Sequence, residues 1–128
     1  MTLVIGKKDT RKIRVQLEEA LDFAEIKKHS VDVEFKILKP SETKEIDDLQ
    51  TSTSENFDFE LATTLVFDAI VSVEGLKDEA CNTLPYSEEV KQFMIDKLWI
   101  RLPIMQGFWA VQNGKSQADT YKTLKAKN

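Results

Sequence analysis

The side chains that could act in nucleophilic catalysis are few, because this 128-residue chain has one histidine, His29, and one cysteine, Cys81. A serine or cysteine nucleophile needs a histidine held beside it, but His29 follows two lysines in a polar stretch and is expected on the surface. Acidic residues precede Cys81, and nearby negative charge disfavours the thiolate that would act as the nucleophile. We therefore predict that the protein is not an enzyme.

Residues that could bind metal ions or phosphate are also scarce. A structural zinc site normally takes four Cys or His ligands, and the chain has two such residues. The four glycines are scattered, so the sequence contains no Gly-rich phosphate loop. A Mg²⁺ or Ca²⁺ site built from carboxylates alone stays open, although EF-hand spacing is absent. Adjacent acidic pairs such as Glu18-Glu19 do not face each other on a helix and are expected to be solvated. The sequence predicts no cofactor and no metal site.

The composition is that of one globular domain spanning residues 1–128. Hydrophobic residues make up 41% of the chain and charged residues 31%, close to ordinary globular usage. No apolar run approaches the roughly 20 residues of a spanning helix, and the run from Leu3 to Ile5 is too short for a signal-peptide core. We expect a cytoplasmic protein without membrane contact, in which residues 1–12 and 115–128 are flexible.

The net charge of −4 hides an uneven distribution. Residues 31–90 carry four basic and fifteen acidic side chains, whereas residues 91–128 carry seven basic and two acidic ones. One interpretation is that the uneven distribution arises by chance from charged side chains on solvated helix faces. The other is an acidic middle that meets a basic end, its own or that of a neighbouring copy. The second interpretation predicts a homo-oligomer that weakens with added salt. Nucleic-acid binding is not expected at a pI near 5.1.

Hydrophobic periodicity predicts an α+β fold, with an N-terminal two-stranded antiparallel ribbon followed by about four mainly amphipathic helices. Strand alternation covers 13–17 and, more clearly, 31–38. The intervening stretch, 18–30, is compatible with a loop or a short helix. The apolar side chains of the second strand should point inward onto the central helix; they are Val31, Val33, Phe35 and Ile37.

Helix-start residues divide the remainder of the chain. Ser41 should cap a short helix that ends near Leu49, and Asp58 should begin a long central helix. The central helix has apolar residues at every fourth position and should end at Gly75; they are Leu61, Leu65, Ala69 and Val73. Ser87 should cap a third helix with a stripe from Val90 to Leu98. Pro103 should start or kink the last helix, whose inward side chains are Ile104, Phe108 and Val111.

Aromatic residues near the C-terminus form the candidate partner-binding site. Trp99, Phe108 and Trp109 lie within eleven positions, and they could be core residues or an exposed pad for a partner helix. Trp109 lies about 100° around the helix from Phe108, which makes it the better candidate for exposure. We place Lys97 and Arg101 at the rim of this site, since tryptophan and arginine often anchor interfaces. Phe57 and Phe59 are the next candidates.

The order of these segments resembles a known family, the tail assembly chaperones of long-tailed bacteriophages and prophages. The resemblance covers roughly residues 31–128. Its strongest part is a hydrophobic helix followed by Glu74-Gly75, Asp78-Glu79, a short turn and Leu84-Pro85-Tyr86-Ser87. The chain departs from the family pattern at Val73, where tryptophan is frequent. It also has Ala80-Cys81-Asn82 where a glycine turn is frequent, and Asn82 could adopt the left-handed conformation there.

The resemblance implies a non-enzymatic role in the cytoplasm of a bacterial host. Such chaperones coat the tape measure protein, keep it soluble, and are displaced when tail tube subunits polymerise around it. The implied partners are therefore the tape measure protein and the tail tube protein. A different class of function stays open, in which the chain is a structural or accessory protein of the phage tail virion.

Overall fold

The computed structural model describes Leu3 and residues 9–113. This part of the chain is α+β, with a three-stranded antiparallel sheet and four α-helices. In chain order the elements are β1 (Thr10–Ala20), β2 (Ile26–Lys36), α1 (Pro40–Gln50), α2 (Phe59–Asp68), β3 (Ile70–Glu74), α3 (Glu88–Ile95) and α4 (Leu98–Gln112). The predicted ribbon is confirmed, but it gains a third strand. Strand β1 begins at Thr10, so the last residues of the N-terminal stretch predicted to be flexible, 1–12, belong to the sheet. The C-terminal stretch predicted to be flexible, 115–128, lies outside the described residues.

Strands β1 and β2 form a long hairpin. They pair without interruption from Thr10 opposite Lys36 to Ala20 opposite Ile26. The stretch 18–30, for which the sequence allowed a loop or a short helix, therefore continues both strands, and only the five residues 21–25 turn the chain. Two of these, Phe23 and Ala24, have a φ of 61°, a left-handed conformation that side chains other than glycine seldom adopt. Phe23 is also 97% exposed, so the turn carries an aromatic ring into solvent.

The predicted central helix is too long, because its last third is strand β3. Helix α2 ends at Asp68, and the run from Ile70 to Val73 pairs with β2. Ile70, Val71 and Val73 are β-branched and favour a strand once a neighbouring strand is available. Gly75 ends this strand instead of a helix, with a φ of +102° and Ser30 O 3.2 Å from where a Cβ would lie. The buried face of α2 comprises Ala62, Thr63, Val66 and Phe67, whereas Leu61, the first residue of the predicted stripe, is 44% exposed.

Local capping was predicted at two of the helix starts and missed at two. The side chains of Asp58 and Ser87 accept hydrogen bonds from backbone N–H groups of α2 and α3, as predicted. Helix α1 begins two residues earlier than predicted, with Lys39 instead of Ser41 at the N-cap position and Pro40 in the first turn, where its missing N–H costs nothing. The predicted Val90–Leu98 stripe spans two helices, since Lys97 precedes α4. Pro103 therefore lies inside the last helix.

One face of the sheet forms the core with α4. Val31, Val33 and Phe35 are at most 4% exposed, as predicted, whereas Ile37 follows the strand and is half-buried. The covering helix is α4 instead of the predicted central helix. Gly107 allows this close packing, because a Cβ there would lie 3.0 Å from Val15 Cγ2. Ile104 and Phe108 are fully buried beside it.

The opposite face of the sheet is polar. Arg14 donates to Asp32 at 2.8 Å, and this hydrogen bond lowers the pKa of the Asp32 carboxyl. Thr10 Oγ1 donates to Glu34 at 2.7 Å from the neighbouring strand. Exposed pairs of this kind contribute little stability, so the fold depends mainly on the apolar face.

Candidate protein-interaction surface

His29 and Cys81 lie in separate surroundings. His29 Nε2 is 3.0 Å from Glu19 Oε1 across the hairpin, and its half-buried ring lies 6.0 Å from the ring of Trp99. Cys81 is exposed and lies in the turn after β3. Its φ of 64° places it in the left-handed conformation that the sequence suggested for Asn82. Within the described residues, no group of three or more His, Cys, Asp or Glu side chains could hold a metal ion. The exposed apolar surfaces are the other candidates for a functional site.

Phe108 belongs to the core. Its side chain is fully buried, with its ring edge-on to Phe35 at 5.6 Å and to Trp109 at 5.0 Å. A partner could reach Phe108 only if the sheet and α4 separated. Of the five residues predicted to bind a partner, it is therefore the one placed furthest from solvent.

Arg101 is also turned inward, although it was predicted at the rim. It is 9% exposed, and its Nε donates to Ile95 O at 2.6 Å. Its Nη1 lies 3.0 Å from Glu60 Oε1, and its guanidinium is 6.0 Å from the ring centre of Phe59. These contacts join the start of α2 to the junction of α3 and α4. Arg101 therefore fixes the helix arrangement that any surface on α4 requires.

The two tryptophans lie at opposite ends of α4. Ten residues separate them, or about 15 Å along the helix axis. Trp99 is half-buried beside His29, close to the hairpin. Trp109 is half-buried at the other end, where its Nε1 donates to Gln50 Oε1 of α1 at 3.0 Å. The structure therefore does not bring the predicted aromatic residues together in one pad.

An apolar stripe does run along the exposed side of α4. Leu98 is 61% exposed and Leu102 is 45% exposed, and they precede the half-buried Trp109 by eleven and seven residues. This spacing places all three on one side of a helix, although Met105, on the same side between Leu102 and Trp109, is buried. We call Leu98, Leu102 and Trp109 the α4 outer face. Lys97 is exposed at its N-terminal end, 5.4 Å above the ring of Phe93. Sequence reasoning missed the two leucines because it assigned Leu98 to the preceding helix.

Other apolar side chains among the described residues are exposed away from this stripe, including Leu61 on α2 and Phe93 on α3. Phe57, a reserve candidate, is 47% exposed before α2, whereas Phe59 packs against the core. Leu21, Phe23 and Ile26 are exposed at the hairpin turn. The molecule therefore presents an apolar helix face and an apolar turn on different elements.

Comparison of the chain with protein-family models, with curated proteins and with solved structures finds no match. None of the helices described here has both the length and the apolar character needed to cross a membrane.

Proposed function

We propose that this chain is a non-enzymatic chaperone of phage tail assembly, which binds the tape measure protein and keeps it soluble until the tail tube polymerises. The α4 outer face is the observation that carries the proposal. Two exposed leucines at helical spacing in line with a tryptophan suit contact with an apolar helix of another protein. The family resemblance supplies the identity of that partner.

The size of the α4 outer face suits a reversible contact. A tape measure protein exposes long apolar helical surface, which aggregates unless it is covered. A short stripe on one helix buries little area for each chaperone copy, so coverage requires many copies, each bound weakly. Weak individual contacts would let tail tube subunits displace the chaperone without a chemical energy source. The chaperone would act in the cytoplasm of the bacterial host, alone or as a homo-oligomer.

Leu102→Glu should reduce co-purification of the tape measure protein about tenfold or more, because it places a charge within the apolar contact. The measurement is a pull-down after co-expression with a phage tape measure protein as the proposed partner. Leu21→Glu is the matched control, because Leu21 is 43% exposed and Leu102 is 45% exposed. The control lies on the hairpin turn and should leave binding unchanged. Loss of binding with Leu21→Glu alone would place the site on the hairpin and contradict the assignment to α4.

The second candidate is a structural or accessory protein of the tail virion. The hairpin turn favours it, since the almost fully exposed ring of Phe23 suits a permanent contact that covers it. The two functions differ in the finished particle. Mass spectrometry of purified virions should detect a structural protein in stoichiometric amounts, whereas a chaperone should be absent.

A further inference from the structure

An open groove with an apolar floor lies between α1 and α2, beside the end of β2. Its volume is about 250 Å³, and a cavity of roughly 150 Å³ is enough to admit a benzene molecule. Four apolar residues line it, namely Leu38, Ile46, Leu65 and Ala69. The groove therefore has room and apolar surface for an aromatic or leucine side chain.

The rim of the groove is acidic. Glu42 and Glu45 line one side from α1, and both are exposed. Asp68 lines the α2 side and binds the ammonium group of Lys91, while Lys36 is the one basic side chain among the lining residues. The two glutamates therefore give the rim its net negative charge. A ligand with positive charge on both sides of an apolar group would fit this arrangement.

Helix α4 ends next to this groove. The side chain of Gln112 accepts a hydrogen bond from Leu38 N at 2.9 Å and donates one to Lys36 O at 2.7 Å. Both of those residues line the groove. Tyr121 follows Gln112 by nine residues, and nine residues span up to about 30 Å when extended. The C-terminal segment therefore starts within easy reach of the groove.

The C-terminal segment contains the positive charges and apolar side chains that the acidic rim and apolar floor of the groove would bind. Residues 114–128 contain four lysines and one aspartate. Two of its apolar residues, Tyr121 and Leu124, alternate with the lysines in the run Tyr121-Lys122-Thr123-Leu124-Lys125. We propose that the groove between α1 and α2 binds the chain's own C-terminal segment, with Tyr121 or Leu124 on its apolar floor and lysines beside Glu42 and Glu45. This pairing gives the acidic middle of the chain a specific basic partner.

Paramagnetic NMR on the full chain tests this contact. A nitroxide is attached through Thr123→Cys in a Cys81→Ser background, and methyl signals are compared before and after reduction of the label. Leu38, Ile46 and Leu65 should lose most of their intensity. Ile26 should keep its intensity, because it lies at the far end of β2, about 33 Å from the groove. Addition of about 1 M salt, where screening acts within about 3 Å, should restore the groove signals. Unaffected groove methyl groups at low salt would overturn the proposal.

Variants on both sides of the contact separate it from nonspecific attraction. Glu45→Lys should restore the groove signals, whereas Glu55→Lys makes the same charge change in an exposed loop and should not. Tyr121→Ser combined with Leu124→Ser should also restore them, and this double variant leaves every groove residue in place. Equal effects of the two glutamate variants would overturn the proposal. Full broadening in a mixture of spin-labelled chain and isotope-labelled chain would also overturn the proposal, because it would show that the C-terminal segment binds a second copy of the chain.

Discussion

Phe35→Ala is expected to lower the free energy of unfolding by about 3–5 kcal/mol. The Phe35 ring is fully buried in the middle of the sheet and packs edge-on against Phe108. Truncation would remove this aromatic contact and leave a cavity beneath α4. The close approach of Gly107, whose hypothetical Cβ would lie 3.9 Å from Phe35 Cε2, keeps the helix in place and limits how far the cavity can collapse.

Urea denaturation followed by circular dichroism measures this loss. Phe93→Ala is the matched control, because it deletes the same ring from a side chain that is 57% exposed. Surface changes of this kind usually stay within about 0.5 kcal/mol. If both variants lost the same stability, the sheet face around Phe35 would not be the core of this domain.

Trp109→Ala is expected to weaken binding of the tape measure protein by about 2 kcal/mol or more, roughly 30-fold, while the domain stays folded. Trp109 closes the C-terminal end of the α4 outer face and is only half-buried. The substitution also removes the hydrogen bond to Gln50 and the edge-on contact with the Phe108 ring, which together cost about 2 kcal/mol of stability. That loss is too small to unfold a domain of ordinary stability.

A thermal melt and a pull-down on the same protein separate binding from folding. Phe108→Ala is the informative comparison, since Phe108 is the adjacent residue but is fully buried, and its truncation should cost about 3–5 kcal/mol. Trp109→Ala should keep most of the wild-type melting temperature and lose the tape measure protein. A Trp109→Ala protein that melts early, or that is stable and still binds, would exclude this site and move attention to Phe57.

The parts of the fold that depend on local chemistry could be predicted from the sequence. Strict alternation from Val31 to Phe35 identified the central strand and its buried face. Asp58 and Ser87 were identified as caps because a short side-chain acceptor satisfies backbone N–H groups within the same turn. The α+β class follows from these local signals.

The errors arise where a distant segment decides between two local options. The repeat of apolar residues from Leu61 to Val73 is compatible with a helix throughout, but pairing with β2 converts its last third into β3. The stretch before Val31 could not be assigned because its strand character depends on pairing with β1. The local pattern of a segment does not show which other strand will pair with it, which explains why the element boundaries shifted.

The candidate surface was predicted only in part, for the same reason. Helical spacing separated Phe108 from Trp109 correctly, since it depends on the helix alone. It could not show that Arg101 turns inward to Glu60, because Glu60 lies 41 residues earlier in the chain. Leu98 and Leu102 became recognisable only when α4 was seen to begin at Leu98. Salt-sensitive self-association stays a prediction, and most of the basic end on which it rests lies outside the described residues.

The most direct test of the chaperone proposal is the solubility of the tape measure protein expressed with and without this chain. The fraction of tape measure protein that stays in the supernatant after centrifugation is measured at matched expression levels. Co-expression of the wild-type chain should move the tape measure protein from the pellet to the supernatant, and the Leu102→Glu chain should fail to do so while staying soluble itself. A tape measure protein that is equally insoluble with and without the wild-type chain would contradict the proposed function.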